Sequence, residues 1–236
     1  MINFLTFAGK NCRDFGVIIS GAKSFGTAER DVEQISIPGR DGDLFYDNGR
    51  FKNVTVTYDA YISRNFIENY NGFNAWLLSH DGYCRLEDSY QPEIFRMARF
   101  TAGLQAAEPV IRLGVVAFSI VFNCKPQKFL KSGELPATLT AAGKVFNPTL
   151  FPAKPMIRCY GSGGTVTVNG TPVTVTGCKT FADIDCELME VYEGTASRNG
   201  TTTLVNGAFP ELDPGENAVS FTGWSRVEIT PRWWSI

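Results

Sequence analysis

Residues Val54-Thr-Val-Thr-Tyr-Asp-Ala-Tyr-Ile62 place Val54, Val56, Tyr58, Ala60 and Ile62 on one side and Thr55, Thr57, Asp59 and Tyr61 on the other. Only an extended strand with one buried face turns that period of two into a continuous apolar stripe. The same texture returns along the chain. Gly114–Cys124 carries Val116, Phe118, Ile120, Phe122 and Cys124 on one face and Val115, Ala117 and Val121 on the other, so a central strand buried on both sides is expected. Tyr83–Leu86 and Phe95–Phe100 read as strands joined through the turn 89–93. Thr165–Thr176 is a hairpin around a type I′ Asn169-Gly170 turn, which sets Val166 opposite Val173 and Thr167 opposite Pro172. Pro172 then sits in a non-hydrogen-bonded pair, on a strand that is locally an edge. Asp183–Leu188 alternates acid and apolar, and Arg226–Pro231 is a last strand before Arg232-Trp-Trp-Ser-Ile236. One segment changes period. Phe66, Tyr70, Phe73 and Leu77, with Trp76 beside them, make a helical stripe that Asn65 can cap and Asp81-Gly82 can end. Gly72 weakens this helix, which must then lean on a sheet. The fold class is all-β with one short helix.

Composition narrows the field. With 44% hydrophobic and 19% charged residues, a chain of 236 residues buries a real core. Its 23 glycines and 12 prolines suit many turns. A net charge of −2 without a Lys/Arg stripe argues against a dedicated nucleic-acid binder. The opening Met1–Lys10 has neither a basic segment nor a sustained apolar one and reads as a strand rather than a secretory signal. No run reaches the roughly 18 apolar residues of a membrane span, so no membrane insertion is expected. The six cysteines form no CxxC pair and are expected as buried free thiols. Without export, the N-x-T triplets at Asn53, Asn169 and Asn199 are chance matches.

Prolines 136, 148, 152 and 155, with Ala141-Ala-Gly143 between them, divide the chain. The expected organisation is an N-terminal domain of 1–134, a connecting segment of 135–147 and a β-sandwich domain of 148–236.

Chemistry-bearing groups are sparse. His80, the only histidine, sits in Ser-His-Asp-Gly at a helix end, where capping is its ordinary use. Asp183, Asp185 and Glu187 share a strand face, as the acids of a solvated face do. Asp41-Gly-Asp43 and Asp47-Asn-Gly49 have the composition of a calcium loop without its spacing. Gly161-Ser-Gly-Gly164 precedes a strand, so it lacks the helix start that cradles phosphate. Trp224, Trp233 and Trp234 serve packing or a partner, with a saccharide platform as the rival use. No catalytic, metal or cofactor site is expected.

Ser36-Ile-Pro-Gly-Arg-Asp-Gly-Asp-Leu44, followed by Gly49-Arg-Phe-Lys-Asn-Val-Thr-Val-Thr-Tyr58, reads as a long hairpin arm, polar at its tip and β at its stem. It resembles the IPGRDG segment of distal tail proteins from long-tailed phages (or prophages) of Gram-positive bacteria. Further pieces match in order: Phe7–Lys10, Asp14–Val17, Glu29-Arg30, Asn53–Tyr58, Trp76-Leu-Leu, Gly82–Tyr90, Phe122–Pro126, Ile184–Cys186, Leu212–Asn217 and Pro231–Trp234.

The resemblance implies a homohexameric ring in the virion, at the distal end of the tail, assembled in the host cytoplasm. It would join the tail tube protein to a tail-associated hub or tail fibre protein, with DNA only in transit through its lumen. The N-terminal sandwich or barrel-like domain would form the ring. An arm from Glu29 to Tyr58 would embrace the next subunit through Glu29, Arg30, Ile35, Ile37, Pro38, Gly39, Arg40, Asp41, Gly42, Arg50 and Phe51. The C-terminal domain would be a galectin-like β-sandwich that docks receptor-binding or baseplate proteins. Rival readings are a tail tube component and a saccharide-binding adhesion module. A ring needs a heterologous interface whose rotation closes, and a protruding hairpin locks one.

Overall fold

The computed structural model describes residues 3–23, 26–106 and 115–236. The chain divides into two compact units, residues 1–128 with Ile236, and residues 129–235. Among the described residues, apart from one helix and short 3-10 turns, every element is a strand.

In the first unit the main sheet runs Lys10–Asn11, Leu5–Phe7, Cys84–Asp88, Ile94–Arg99, Val116–Cys124, Val54–Ile62 and Val17–Lys23. The Val54–Ile62 and Val116–Cys124 strands are antiparallel and pair over their full length, from Val116↔Ile62 to Cys124↔Val54. A lone bridge from Asn3 to Ile19 brings the two ends of this order together, so the sheet curls on itself. Its concave side is the core, where Leu5, Phe7, Val56, Tyr58, Ile62, Leu86, Ile120 and Phe122 are buried. The alternation in 54–62 is the burial pattern observed. The helix, Phe66–Leu78, caps this core with Phe73 and Leu77 fully buried, and Trp76 stacks on Phe15 at 5.1 Å.

Two sequence expectations fail here. Asn65 stands at the helix N-cap with φ of +46° and makes no side-chain cap bond. Its carbonyl accepts the Asn69 amide at 3.0 Å instead. Val116–Cys124 is central but not two-sided: Ala117, Ser119, Val121 and Asn123 are exposed on its outer face.

The second unit is a β-sandwich. One sheet runs Ala137–Leu139, Arg226–Thr230, Met156–Tyr160, Phe181–Asp185, Glu190–Glu193 and Ala196–Ser197. The other runs Gly143–Asn147, Gly215–Thr222, Gly163–Val168, Thr171–Thr176 and Thr202–Leu204. Ile157, Ile184, Val227 and Ile229 from the first meet Val166, Val168, Val173, Val175 and Val219 from the second in one core. Residues 135–147 are no connector. Ala137–Leu139 pairs with Val227–Ile229 and Gly143–Asn147 with Gly215–Val219, and prolines 136, 148, 152 and 155 fall outside those strands. In the hairpin, Val166 faces Val173 and Thr167 faces Pro172, with φ of +48° at Asn169 and +82° at Gly170. The next strand pairs only from Val173 onward, which leaves Pro172 at a local edge.

Two buried asparagines tie the sandwich loops. Asn147 donates to the carbonyls of Phe151 at 2.9 Å and Leu212 at 3.0 Å, and its Oδ1 accepts the Thr149 amide and hydroxyl. Asn217 donates to the carbonyls of Asp213 and Gly215 and accepts from Asn169 at 2.6 Å. The chain end closes the unit. Leu130 donates its amide to the Trp233 carbonyl at 2.9 Å and Arg232 donates to Gly133 at 2.8 Å. A Cβ on Gly133 would lie 2.3 Å from the Trp233 nitrogen.

Candidate functional site

The groups that invited a chemical reading resolve into structure. His80 Nδ1 lies 2.8 Å from the Trp76 carbonyl, with its ring in edge contact with both Phe7 and Trp76. Asp183 and Asp185 are not on a solvated face. They are 2% and 3% exposed, each held by a two-pronged guanidinium: Arg158 on Asp183 at 2.6 and 2.8 Å, Arg232 on Asp185 at 2.8 Å twice. Burial works against the charge on Asp185, but the Arg232 bonds outweigh it and hold the carboxyl below its usual range. Glu187 lies beyond that strand, exposed. Among the described residues no group of three His, Cys, Asp or Glu is placed to hold a metal. All six cysteines are free, five of them buried. Burial pushes the Cys124 thiol up to about 11 and the Cys186 thiol to about 12, which suits packing groups rather than nucleophiles.

The three tryptophans pack inward. Trp224 and Trp233 are buried in the sandwich core. Trp234 is half-buried, donates to the Pro152 carbonyl at 2.9 Å and stacks on Phe151 at 4.5 Å.

What remains open is the hairpin. Arg30–Ile35 pairs with Leu44–Phe51, and among the described residues neither strand joins another sheet. Val32 faces Asp47, Glu33 faces Tyr46, Gln34 faces Phe45 and Ile35 faces Leu44. A bulge between Arg30 and Val32 restores the register to Arg30↔Phe51, with φ of +69° at Gly49. At the tip the Arg40 amide donates to the Ile37 carbonyl, and Gly39 at φ +80° follows Pro38, the geometry of a type II turn. At the base Lys52 donates to Glu29 at 2.8 Å. Cross-strand pairs Arg30–Asp47 at 3.1 Å and Arg50–Asp31 at 2.7 Å run along it, and Arg30 lies over the Phe51 ring.

Exposure is the unusual property of this ribbon. Phe45 and Tyr46 are 62% and 61% exposed, and Ile35, Ile37 and Leu44 are exposed as well. Phe45 lies on one face and Ile35, Leu44 and Tyr46 on the other, so both faces are apolar and uncovered. Glu29, Arg30, Ile35, Ile37, Pro38, Gly39, Arg40, Asp41, Gly42 and Arg50 all lie on its exposed surface, and Phe51 is half-buried at its base. The arm is shorter than the sequence implied. It ends at Phe51–Lys52, because Val54–Tyr58 is the core strand of the body.

The second open surface was not anticipated. The outer face of the first unit's sheet forms a groove of about 740 Å³ lined by Ser20, Asp59, Tyr61, Ala102, Ser119 and Val121, among others. Ser119 donates to Asp59 there at 2.8 Å. The signal for it lay in the small Ala117 and polar Ser119 alternating with core residues.

No protein-family model and no curated protein matches this sequence. Solved structures do. The crystal structure of Dit from phage SPP1, described as a paradigm of the hub adsorption apparatus in phages infecting Gram-positive bacteria, superposes with a TM-score of 0.79 at 15% identity, covering 100% of both chains. A chain of the phage p2 baseplate in its activated, strontium-bound conformation superposes with a TM-score of 0.58 at 10% identity, over 97% of this chain and 96% of that one. End to end, therefore, this chain has the all-β fold of the SPP1 protein Dit.

Proposed function

We propose that this chain is a structural component of a phage tail tip, a distal tail protein rather than an enzyme. It assembles as a homohexameric ring in the virion that joins the tail tube to the hub and lets DNA through. The observation that carries this reading is the full-length likeness to a hub adsorption protein in a chain that also bears a long uncovered hairpin. A two-stranded ribbon is marginal alone, and apolar side chains on both its faces call for a partner surface. The groove on the outer sheet face is a surface of the kind a neighbouring copy covers. The sandwich is the galectin-like outer domain on which a receptor-binding or baseplate protein docks. A saccharide platform has less support, since Trp224 and Trp233 are core residues.

Light scattering on the purified protein, with negative-stain images of the same peak, tests the proposal. Six copies of a 26.0 kDa chain give about 156 kDa and particles with a central hole. A monomer that stays monomeric at high concentration, alone and with its tube and hub proteins, refutes the ring.

A further inference from the structure

Arg96 is a buried cation with no ion-pair partner among the described residues. It is 8% exposed, on the core side of Ile94–Arg99, opposite Leu86. Its Nη1 has no hydrogen-bond partner among the described residues. A guanidinium cannot shed its proton, so burial cannot be relieved by neutralisation as it is for lysine. Leaving such a charge uncompensated is strongly unfavourable.

Asp88, a carboxylate of the same sheet, is fully engaged. Asp88 Oδ2 accepts from Lys23 and from the Tyr58 hydroxyl at 2.6 Å, while Oδ1 accepts the amides of Tyr90 and Gln91 at 3.0 Å each. Those four bonds use all the acceptor sites a carboxylate has. Meanwhile the short strand Lys128–Leu130 pairs with the Arg96 strand, Ile94–Arg99, which brings a second cation alongside. The Lys125 amide donates to the Met97 carbonyl at 2.8 Å, which carries the segment 125–128 alongside the Arg96 strand. Burial, then Arg96, then Lys23 depress the Lys128 ammonium below its usual range.

We propose that Arg96 and Lys128 hold a small tetrahedral oxyanion of the phosphate class in this corner of the first unit. Arg96 supplies the forked donors that such oxygens accept, and half-buried Lys128 supplies the second charge. This site does not depend on the ring.

The test is a titration of the full chain with inorganic phosphate at constant ionic strength, balanced with sodium chloride. Melting temperature and the phosphorus-31 linewidth are both followed. The expected result is a saturable rise of about 2–4 °C with line broadening. Arg96→Met keeps the apolar stem, removes the charge and should weaken binding at least about tenfold. Lys128→Gln should weaken it about threefold or more, and Lys144→Gln, in the other unit, should not change it. Absence of a saturable rise, or an equal rise in Arg96→Met, overturns the site. If Arg96→Met does not fold, unchanged affinity in Lys128→Gln overturns it.

Discussion

Asp185 and Arg232 meet in a two-pronged ion pair, 2.8 Å on both arms, that binds the turn after one sandwich strand to the chain beyond the last. The same carboxylate accepts the amides of Glu187 and Leu188 at 3.0 and 3.1 Å, so it orders the turn and the tail together. Replacing Asp185 with Asn should cost about 2–3 kcal/mol, because it strands Arg232 half-buried. Denaturant unfolding of the full chain checks this, and Glu187→Gln, one turn away and exposed, should change stability by less than about 0.5 kcal/mol.

Acid should attack the sandwich through the same groups. The Asp185 carboxyl is held below its usual range, against burial, by Arg232. Glu193 is lowered to about 2 by the Thr180 amide and Arg198. A depressed carboxyl adds stability above its unfolded value, near 4, and loses it as pH falls through the folded value. Melting temperature should therefore be flat above about pH 5 and fall steadily below pH 4. Asp185→Asn should flatten part of that fall.

Gly164 admits no side chain. A Cβ there would sit 2.2 Å from the Thr222 carbonyl oxygen and 3.0 Å from Gly223. Gly164→Ala should cost about 1–3 kcal/mol by forcing two paired strands apart. Gly170→Ala, with nothing within 4 Å, should cost about 1 kcal/mol from its φ of +82° alone. The order of the two melting temperatures is the readout.

Asn217→Ala removes donors to the Asp213 and Gly215 carbonyls and an acceptor for Asn169. The loss should be about 1–3 kcal/mol, with the turn at Asn169–Gly170 exchanging its amide hydrogens faster.

On the arm the expectation reverses. Phe45→Asp with Tyr46→Asp should leave monomer stability within about 0.5 kcal/mol, since both side chains are mostly in solvent. If the proposed hexamer forms, the same pair should shift light-scattering mass from hexamer toward monomer. Unchanged hexamers would remove the arm from the interface.

What the sequence yielded was local. The stripe of Val54 to Ile62, the register of Val166 on Val173 and the helical face ending at Leu77 each need only near neighbours. The errors were long-range. Asp183 reads as solvated because Arg158 pairs with it from the neighbouring strand and Arg232 reaches Asp185 from far along the chain. Val121 reads as buried because alternation cannot say whether a second layer covers the outer face. The arm was drawn too long because Phe51 runs into Asn53 and the core strand with no glycine or proline between them. Residues 135–147 looked like a connector because prolines mark the ends of short strands as readily as they mark linkers.

The adjacency of Ala137–Leu139 and Val227–Ile229 sets an order of events during synthesis. The first sheet strand of the sandwich finds its neighbour only after some ninety further residues have been made. The seven strands in the main order of the first unit's sheet need no such wait, since the last of them ends at Cys124. On the ribosome the main order of the arm-bearing unit's sheet can therefore form while the sandwich is still an open set of hairpins, and slow closure of that long-range pairing limits when the chain is whole.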